Sequence, residues 1–151
     1  MNQQLGPQKT AGFTLLEALL TFALVAVLAG ISIPVYQSFQ QRNDLDIATN
    51  TCVQSLRRAQ TLAQAVANDQ SWGVYLASGN LTIYQGVNYT SRDPNFDEFF
   101  DLPASVSVDS PKEFVFSKVS GLPTAAGNVT LISSNNQTKT ITVNSKGTVS
   151  Y

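Results

Sequence analysis

The chain has 151 residues, the length of one compact domain, and nine Lys and Arg against ten Asp and Glu leave a formal net charge of −1. Only 13% of its residues are charged, so the sequence offers no basic footprint for nucleic acid. It has no histidine and one cysteine, which excludes an intrachain disulfide, a multi-cysteine metal site and histidine-based catalysis. We therefore predict a protein that is not an enzyme and needs no metal or cofactor.

The N-terminal region combines a short polar leader with a long apolar run. Residues 1–12 carry one charge, Lys9. From residue 13 to residue 41 the only charge is Glu17, and the stretch 18–35 is uncharged and mostly apolar. Its length is near the lower limit for a helix that crosses a hydrocarbon core of ~30 Å. The pattern predicts a membrane-spanning helix.

Two ordinary interpretations of this N-terminus stay open on hydropathy alone. One is a cleavable secretory signal, for which Val27-Leu28-Ala29 before Gly30 supplies small residues at a cleavage site. The other is a plain single-pass anchor. A single leader cation and an acid inside the apolar run are both unusual for a secretory signal. Under either interpretation, the rest of the chain would be a secreted or membrane-anchored binding module.

The hexapeptide GFTLLE at residues 12–17, followed directly by the apolar run, resembles the processing site of type IV pilins and type II secretion pseudopilins. The resemblance implies that a prepilin peptidase cuts between Gly12 and Phe13 and that Phe13 is then N-methylated. It implies that Glu17 directs assembly with other pilin or pseudopilin subunits on an inner-membrane assembly platform. The chain would cross the inner membrane once, and its C-terminal domain would be periplasmic or extracellular in an assembled filament.

An acid at the position of Glu17 has a physical reason under this resemblance. An ionised carboxylate at the centre of a membrane helix costs roughly 2.5–3.5 kcal/mol on insertion scales. Cleavage would create the α-amine of Phe13, four residues away and on the same helix face. At ~4 Å and an effective dielectric of ~20, such a pair attracts by about 4 kcal/mol before desolvation is subtracted. The resemblance implies that the amine belongs to a neighbouring subunit.

Gly30 and Pro34 predict a kink in the helix. Proline lacks a backbone N–H, and its ring clashes with the carbonyl four residues earlier, which here belongs to Gly30. Between Val35 and Asp69 there is no Gly or Pro. We therefore expect one continuous helix that is bent near Pro34.

An apolar stripe at helical spacing follows the kink. Its members recur at steps of three and four and comprise Leu45, Ala48, Cys52, Leu56, Ala59, Ala63 and Val66. Cys52 on this stripe is predicted to be a small buried hydrophobe. Arg57 and Arg58 lie off it as a solvated face, with too few aligned cations to neutralise many phosphates. Such a helix requires a covering layer.

The covering layer is predicted to be antiparallel β-structure. Short alternating runs, bounded by turn residues at 78–80 and 144–147, contain Trp72/Val74/Leu76, Leu81/Ile83, Val106/Val108, Phe114/Phe116, Val129/Leu131, Ile141/Val143 and Val149/Tyr151. The fold class is therefore α+β. The predicted segments are a leader over residues 1–12, a transmembrane or filament-core helix over 13–35, an amphipathic helix over 36–70 and an antiparallel β domain over 71–151.

The loop RDPNFDEFFDLP brings several acids together. Its Asp-x-Asn-x-Asp spacing begins like a calcium loop, but Glu98 stands where an EF-hand requires glycine. We favour a solvated acidic loop anchored by Phe96, Phe99 and Phe100. A membrane-anchored hydrolase would have to use these carboxylates, because the chain has no histidine.

The C-terminal pattern from Phe114 to Val149 loosely resembles H-type minor pseudopilins and T-type minor pilins. Its parts are an aromatic strand, a Gly/Pro turn and two alternating strands. Together with the N-terminal resemblance, it implies a minor pilin or pseudopilin. Such a protein is a structural subunit of a type IV pilus or a type II secretion pseudopilus.

Overall fold

The structure is a computed structural model that describes residues 12–110 and 112–151, without the side chains of residues 32–34. The predicted leader, apart from Gly12, lies outside the described residues. The chain divides into two compact units, Met1–Ser38 and Phe39–Tyr151. The described elements are one α-helix and eight strands: α1 (Leu15–Gln64), β1 (Trp72–Ala77), β2 (Asn80–Gln85), β3 (Glu98–Asp101), β4 (Val106–Val108), β5 (Lys112–Phe116), β6 (Gly127–Ser133), β7 (Thr138–Val143) and β8 (Val149–Ser150).

Helix α1 continues without interruption through Gly30 and Pro34, as the absence of later breakers predicts. The expected bend at these two residues stays a prediction.

The helix ends at Gln64, earlier than the predicted boundary at residue 70. Val66 has a φ of 54° and lies in the left-handed region, so the helical hydrogen-bond ladder stops there. A short 3₁₀ turn, Ala67–Asp69, follows, and its first carbonyl accepts a hydrogen bond from Trp72 Nε1 at 3.1 Å. Val66, predicted on the buried stripe, is therefore only half-buried.

The rest of the predicted stripe is confirmed. From Phe39 onward α1 turns one face to the sheets, and the buried apolar residues on that face are Leu45, Ala48, Cys52, Val53, Leu56, Ala59 and Ala63. Burial raises the pKa of the Cys52 thiol to about 12, because the apolar surroundings disfavour a thiolate. The cysteine therefore contributes to packing and is not reactive.

Two antiparallel four-stranded sheets supply the other side of the core. The first has the strand order β3-β2-β1-β5 and the second β4-β6-β7-β8. In the first sheet Val74 pairs with Ile83 on one side and with Phe114 on the other. In the second, Val129 pairs with Ile141. The strand cores and the α+β class predicted from the alternating pattern are confirmed, except that Tyr151 is exposed beyond the end of β8. Both sheets share one apolar core with α1.

A layer of aromatic side chains covers the outer face of the first sheet. Tyr89 stacks on Tyr75 with ring centroids 4.0 Å apart, and the Arg92 guanidinium lies 3.8 Å above the Tyr89 ring. Tyr84 donates a hydrogen bond to Glu113 at 2.5 Å, and burial together with this bond raises the Tyr84 pKa above its usual range. A Cβ at Gly73 would strike the Tyr84 ring, so this position requires glycine.

The acidic segment is more ordered than the predicted solvated loop. It forms a 3₁₀ turn, Pro94–Phe96, and then strand β3, which pairs with β2. The Asp97 side chain is 0% exposed, and its Oδ2 accepts a hydrogen bond from Arg92 Nε at 2.7 Å. The prediction of solvated acids is thus wrong for Asp97, whereas Asp93 and Asp101 are exposed.

Candidate functional site

The predicted processing site lies at the start of α1. Gly12 and Phe13 precede the first helical residue and are exposed, Phe13 by 84%. A Cβ built on Gly12 would meet no atom within 4 Å. Among the described residues, both residues that flank the predicted cut are therefore exposed, and the helix begins two residues after the cut.

Thr14 caps the helix, a role that the sequence reasoning missed. Its Oγ1 accepts a hydrogen bond from the Glu17 backbone N–H at 3.2 Å, and its carbonyl accepts one from Ala18 at 3.1 Å. Thr14 and Glu17 have the Thr-x-x-Glu spacing of a capping box, in which an acid at the third helical position also suits the positive end of the helix dipole. That spacing was readable from the sequence. The observed bond uses the Glu17 backbone, and its carboxylate lies in the first turn, where the helix dipole favours an acid.

The Glu17 carboxylate is exposed and has no ion-pair partner within residues 12–110 and 112–151. Its compensation therefore comes from outside the described residues.

An exposed apolar surface follows directly after this acid. Among the described residues between 13 and 39, the exposed large hydrophobic side chains are Phe13, Leu15, Leu16, Leu19, Leu20, Phe22, Leu24, Val25, Val27, Leu28, Ile31, Val35, Tyr36 and Phe39. Such a surface is far larger than soluble monomers tolerate. The helix is long and apolar enough to cross a membrane, a property that core helices and signal sequences share.

Three of the acids considered for calcium or hydrolysis are engaged elsewhere, whereas Asp101 is exposed. Glu98 accepts two hydrogen bonds of 2.7 Å from Arg58, which raise the pKa of that guanidinium, and Asp97 pairs with Arg92. Asp93 accepts hydrogen bonds from the backbone and side chain of Asn95. In the described residues, no group of three or more His, Cys, Asp and Glu could hold a metal ion.

Comparison with known proteins agrees with this geometry. The family described as "Prokaryotic N-terminal methylation motif" matches residues 7–33, which include the predicted cleavage site and most of the apolar run. The minor pseudopilin EpsH from the type 2 secretion system of Vibrio cholerae has a similar structure, with a TM-score of 0.53. At 15% identity, the likeness covers 71% of this chain and 94% of EpsH. The chain carries the prokaryotic methylation motif on a pilin-like fold. No curated protein matches the sequence.

These findings confirm the recognised motif and the predicted architecture. The cleavage at Gly12, the methylation of Phe13 and the assembly role of Glu17 stay predictions, and so does the H-type or T-type subfamily.

Proposed function

We propose that the protein is a minor pilin or pseudopilin, a structural subunit of a type IV pilus or a type II secretion pseudopilus. A prepilin peptidase cuts it after Gly12, and Phe13 becomes the N-methylated first residue. The mature chain is held in the inner membrane by the helix that follows, with its β domain on the periplasmic side. An assembly platform then transfers it into a filament with other subunits.

The observation that carries this proposal is the methylation motif at residues 7–33, which includes the predicted cleavage site and continues into an exposed apolar helix. A motif alone marks a processing site. An apolar helix alone fits an anchor or a signal. Together, they fit a subunit whose helix first lies in lipid and then packs among the helices of other subunits. The EpsH-like fold of the remaining chain supports the same function.

Glu17 has two separable tasks in this proposal. Its side chain at the capping-box position would help to start the helix, and a glutamine can donate or accept the same capping hydrogen bond. Its charge would attract the α-amine of a neighbouring subunit, for which a glutamine is ineffective.

A structural subunit also needs no catalytic group of its own.

The first experiment is the intact mass of the protein recovered from membranes of a host with prepilin peptidase. We expect the loss of residues 1–12 and the gain of one methyl group. A host without the peptidase should yield the full-length mass, and so should Gly12→Val in the complete host. A mature N-terminus near Gly30 would instead show a secretory signal and contradict the proposal.

The second experiment separates the tasks of Glu17. Glu17→Gln and Glu17→Ala should both be processed and inserted, yet both should be absent from sheared filaments. The matched control is Thr21→Ala, which removes a different polar side chain from the same helix and should assemble normally. Normal assembly of Glu17→Gln with failure of Glu17→Ala would show that the acid serves helix capping alone.

A further inference from the structure

Strand β3 is the outer edge of the first sheet, and its main chain is free on one side. The Leu102 N–H donates a hydrogen bond of 3.1 Å to the Gly79 carbonyl in the turn between β1 and β2. Bonds alternate along an antiparallel ladder, so Phe100 bonds to β2, whereas the main-chain groups of Phe99 and Asp101 point away from the sheet. In the described part of the chain, no other segment bonds to these outward groups. An edge of this kind can accept an additional strand.

The other sheet edges are covered or short. The Ser78 hydroxyl bonds to both the N–H and the carbonyl of Val108, which lies on the edge strand β4. On β5, the Val115 carbonyl accepts a hydrogen bond from the Thr124 N–H at 2.8 Å. Strand β8 has two residues. Strand β3 is therefore the edge best suited to bind a further strand.

A pocket lies beside this edge, between β3 and helix α1. Its volume is about 180 Å³. The residues that line it are Thr51, Gln54, Ser55, Arg58 and Phe100. Ser55 is 3% exposed, yet its hydroxyl has no hydrogen-bond partner within the described residues. By contrast, Thr49 and Thr61 on the same helix each bond to a carbonyl one turn earlier. A buried hydroxyl without a partner favours a ligand that supplies one.

The alternation of the sheet directs one side chain of an added strand into this pocket. Residues directly opposite each other in neighbouring strands point to the same face. Phe100 packs against the core on the α1 side, so the residue opposite it would point toward α1 and into the pocket. The residues before and after it would lie opposite Phe99 and Asp101, which are both exposed on the outer face, Phe99 by 65%.

The exposed side chains along the edge define the chemistry of the partner. Asp101 has no ion-pair partner among the described residues, and Asp93 is exposed in the segment before the strand. These carboxylates favour a basic residue in the added strand, whereas the Phe99 ring favours an apolar one. A second copy would bring the same acids to the contact, so like charges disfavour edge-to-edge pairing of two copies.

We propose that β3 binds an extended segment of a different protein, which adds to the first sheet as an antiparallel strand. From its N-terminus to its C-terminus, the segment carries a basic residue opposite Asp101, a short polar residue opposite Phe100 and an apolar residue opposite Phe99. Main-chain hydrogen bonds supply the affinity, and these three positions supply the selectivity. The β domain thus has a peptide ligand, and this binding depends on neither processing nor filament entry.

The test is the binding of labelled synthetic peptides to the full chain in detergent, measured by fluorescence anisotropy. The probe is a short peptide with the central sequence Lys-Thr-Val. We expect saturable binding, about fivefold tighter than that of the reversed order Val-Thr-Lys or of Glu-Thr-Val, because only the probe matches all three positions. Equal binding of the three peptides would overturn the proposal, and so would the absence of binding.

A proline at the edge tests the main-chain contact. Phe99→Pro removes an outward N–H and no bond between β2 and β3, a change that edge strands tolerate, and it should abolish binding of the probe. The matched control Phe99→Thr keeps this N–H in a residue that suits a strand, so it should still bind the probe, although more weakly. Equal binding by the two variants would contradict the addition of a strand.

A charge change tests the partner through a gain of binding. Asp101→Lys should bind Glu-Thr-Val more tightly than Lys-Thr-Val, a reversal that a misfolded protein cannot produce. Asp109→Lys, the matched change at an exposed acid just after β4, should keep the original preference. An unchanged preference in Asp101→Lys would overturn the proposal.

The pocket and the alternative occupant are tested with the same assay. The parent chain should prefer Lys-Thr-Val to Lys-Val-Val, and Ser55→Ala should remove this preference because the partner of the central hydroxyl is lost. An equal preference in both chains would contradict the assigned register. Self-association of the chain that Phe99→Pro prevents, without binding of the probe, would show that the edge pairs with a second copy and would overturn the proposal.

Discussion

The two parts of helix α1 have similar side chains in opposite surroundings. In the first unit, large apolar residues such as Leu20, Leu24 and Leu28 are exposed. In the second unit, Leu45 and Leu56 occupy the same kind of helical position and are buried against the sheets. A leucine's position in the helix therefore does not by itself determine whether its side chain is buried. The sheets that follow in the sequence cover only its later part.

The apolar side chains of the two units therefore depend on different contacts. The stripe in the second unit stabilises the fold of the isolated chain through contacts within that chain. Among its described residues the first unit has no such cover for its apolar surface, so burial of that surface requires an apolar environment outside these residues. Substitutions in the second unit should therefore change the free energy of unfolding, whereas matched substitutions in the first unit should hardly change it.

The largest expected effect compares a leucine from each part. Leu56→Ala should lower the free energy of unfolding by about 2–5 kcal/mol, because it leaves a cavity between helix and sheets. Leu24→Ala, the matched change in the exposed part, should alter it by less than about 0.5 kcal/mol. The measurement is urea unfolding of the full chain in detergent, followed by fluorescence of the buried Trp72. Equal losses for both variants would show that the two parts are not separate in stability.

The next effect is a loss of folding stability at alkaline pH, which arises from Cys52 in the second unit. Burial raises the pKa of Cys52 from 9.0 to about 12, so the protonated thiol stabilises the folded state fully below pH 9. That contribution is lost as pH rises toward 12, since the unfolded chain then binds fewer protons. Each raised group lowers the free energy of unfolding by about 1 kcal/mol per pH unit in its window.

The control for this effect is Cys52→Ala, which removes the thiol but keeps Tyr84. The pKa of Tyr84 is also raised, through burial and Glu113, and acts in the same direction above its ordinary pKa. Stability should therefore fall more steeply for the parent chain than for Cys52→Ala above pH 9. Parallel curves would mean that the thiol is not as well buried as the structure shows.

The smallest effects compare two ion pairs at the first sheet. Arg58→Ala removes an exposed pair and should cost less than about 1 kcal/mol. Arg92→Ala should cost clearly more, because it leaves the buried Asp97 carboxylate without its partner and removes the cation above Tyr89. Denaturant midpoints of the two variants against the parent chain measure the difference. The reverse order would contradict the buried position of Asp97.

Local sequence patterns predicted the helix and most strands, because the spacing of apolar residues follows the side-chain periodicity of each element. The spacing of Leu45, Cys52 and Leu56 matches a helix face, and the alternation around Val74 and Ile141 matches a strand with one buried face. The site residues from Gly12 to Glu17 were recognisable because they are contiguous. No long-range contact is needed to place any of these features.

Two features that the sequence did not predict depend on individual contacts between side chains or turns. The helix stops at Gln64 because Val66 turns into the left-handed region, and the Ala63 carbonyl receives the N–H of Val119 from a distant turn. The buried Asp97 side chain pairs with Arg92, whose guanidinium lies above the Tyr89 ring. Neither partner is indicated by a periodic pattern, so a solvated loop was the natural expectation.

The solitary thiol inside the core has a consequence for maturation. Cys52 has no second cysteine in these 151 residues to pair with, and its buried position separates it from cysteines of other chains. Folding of the second unit should therefore proceed without any thiol oxidase or disulfide isomerase. Its yield should be the same under reducing and oxidising conditions.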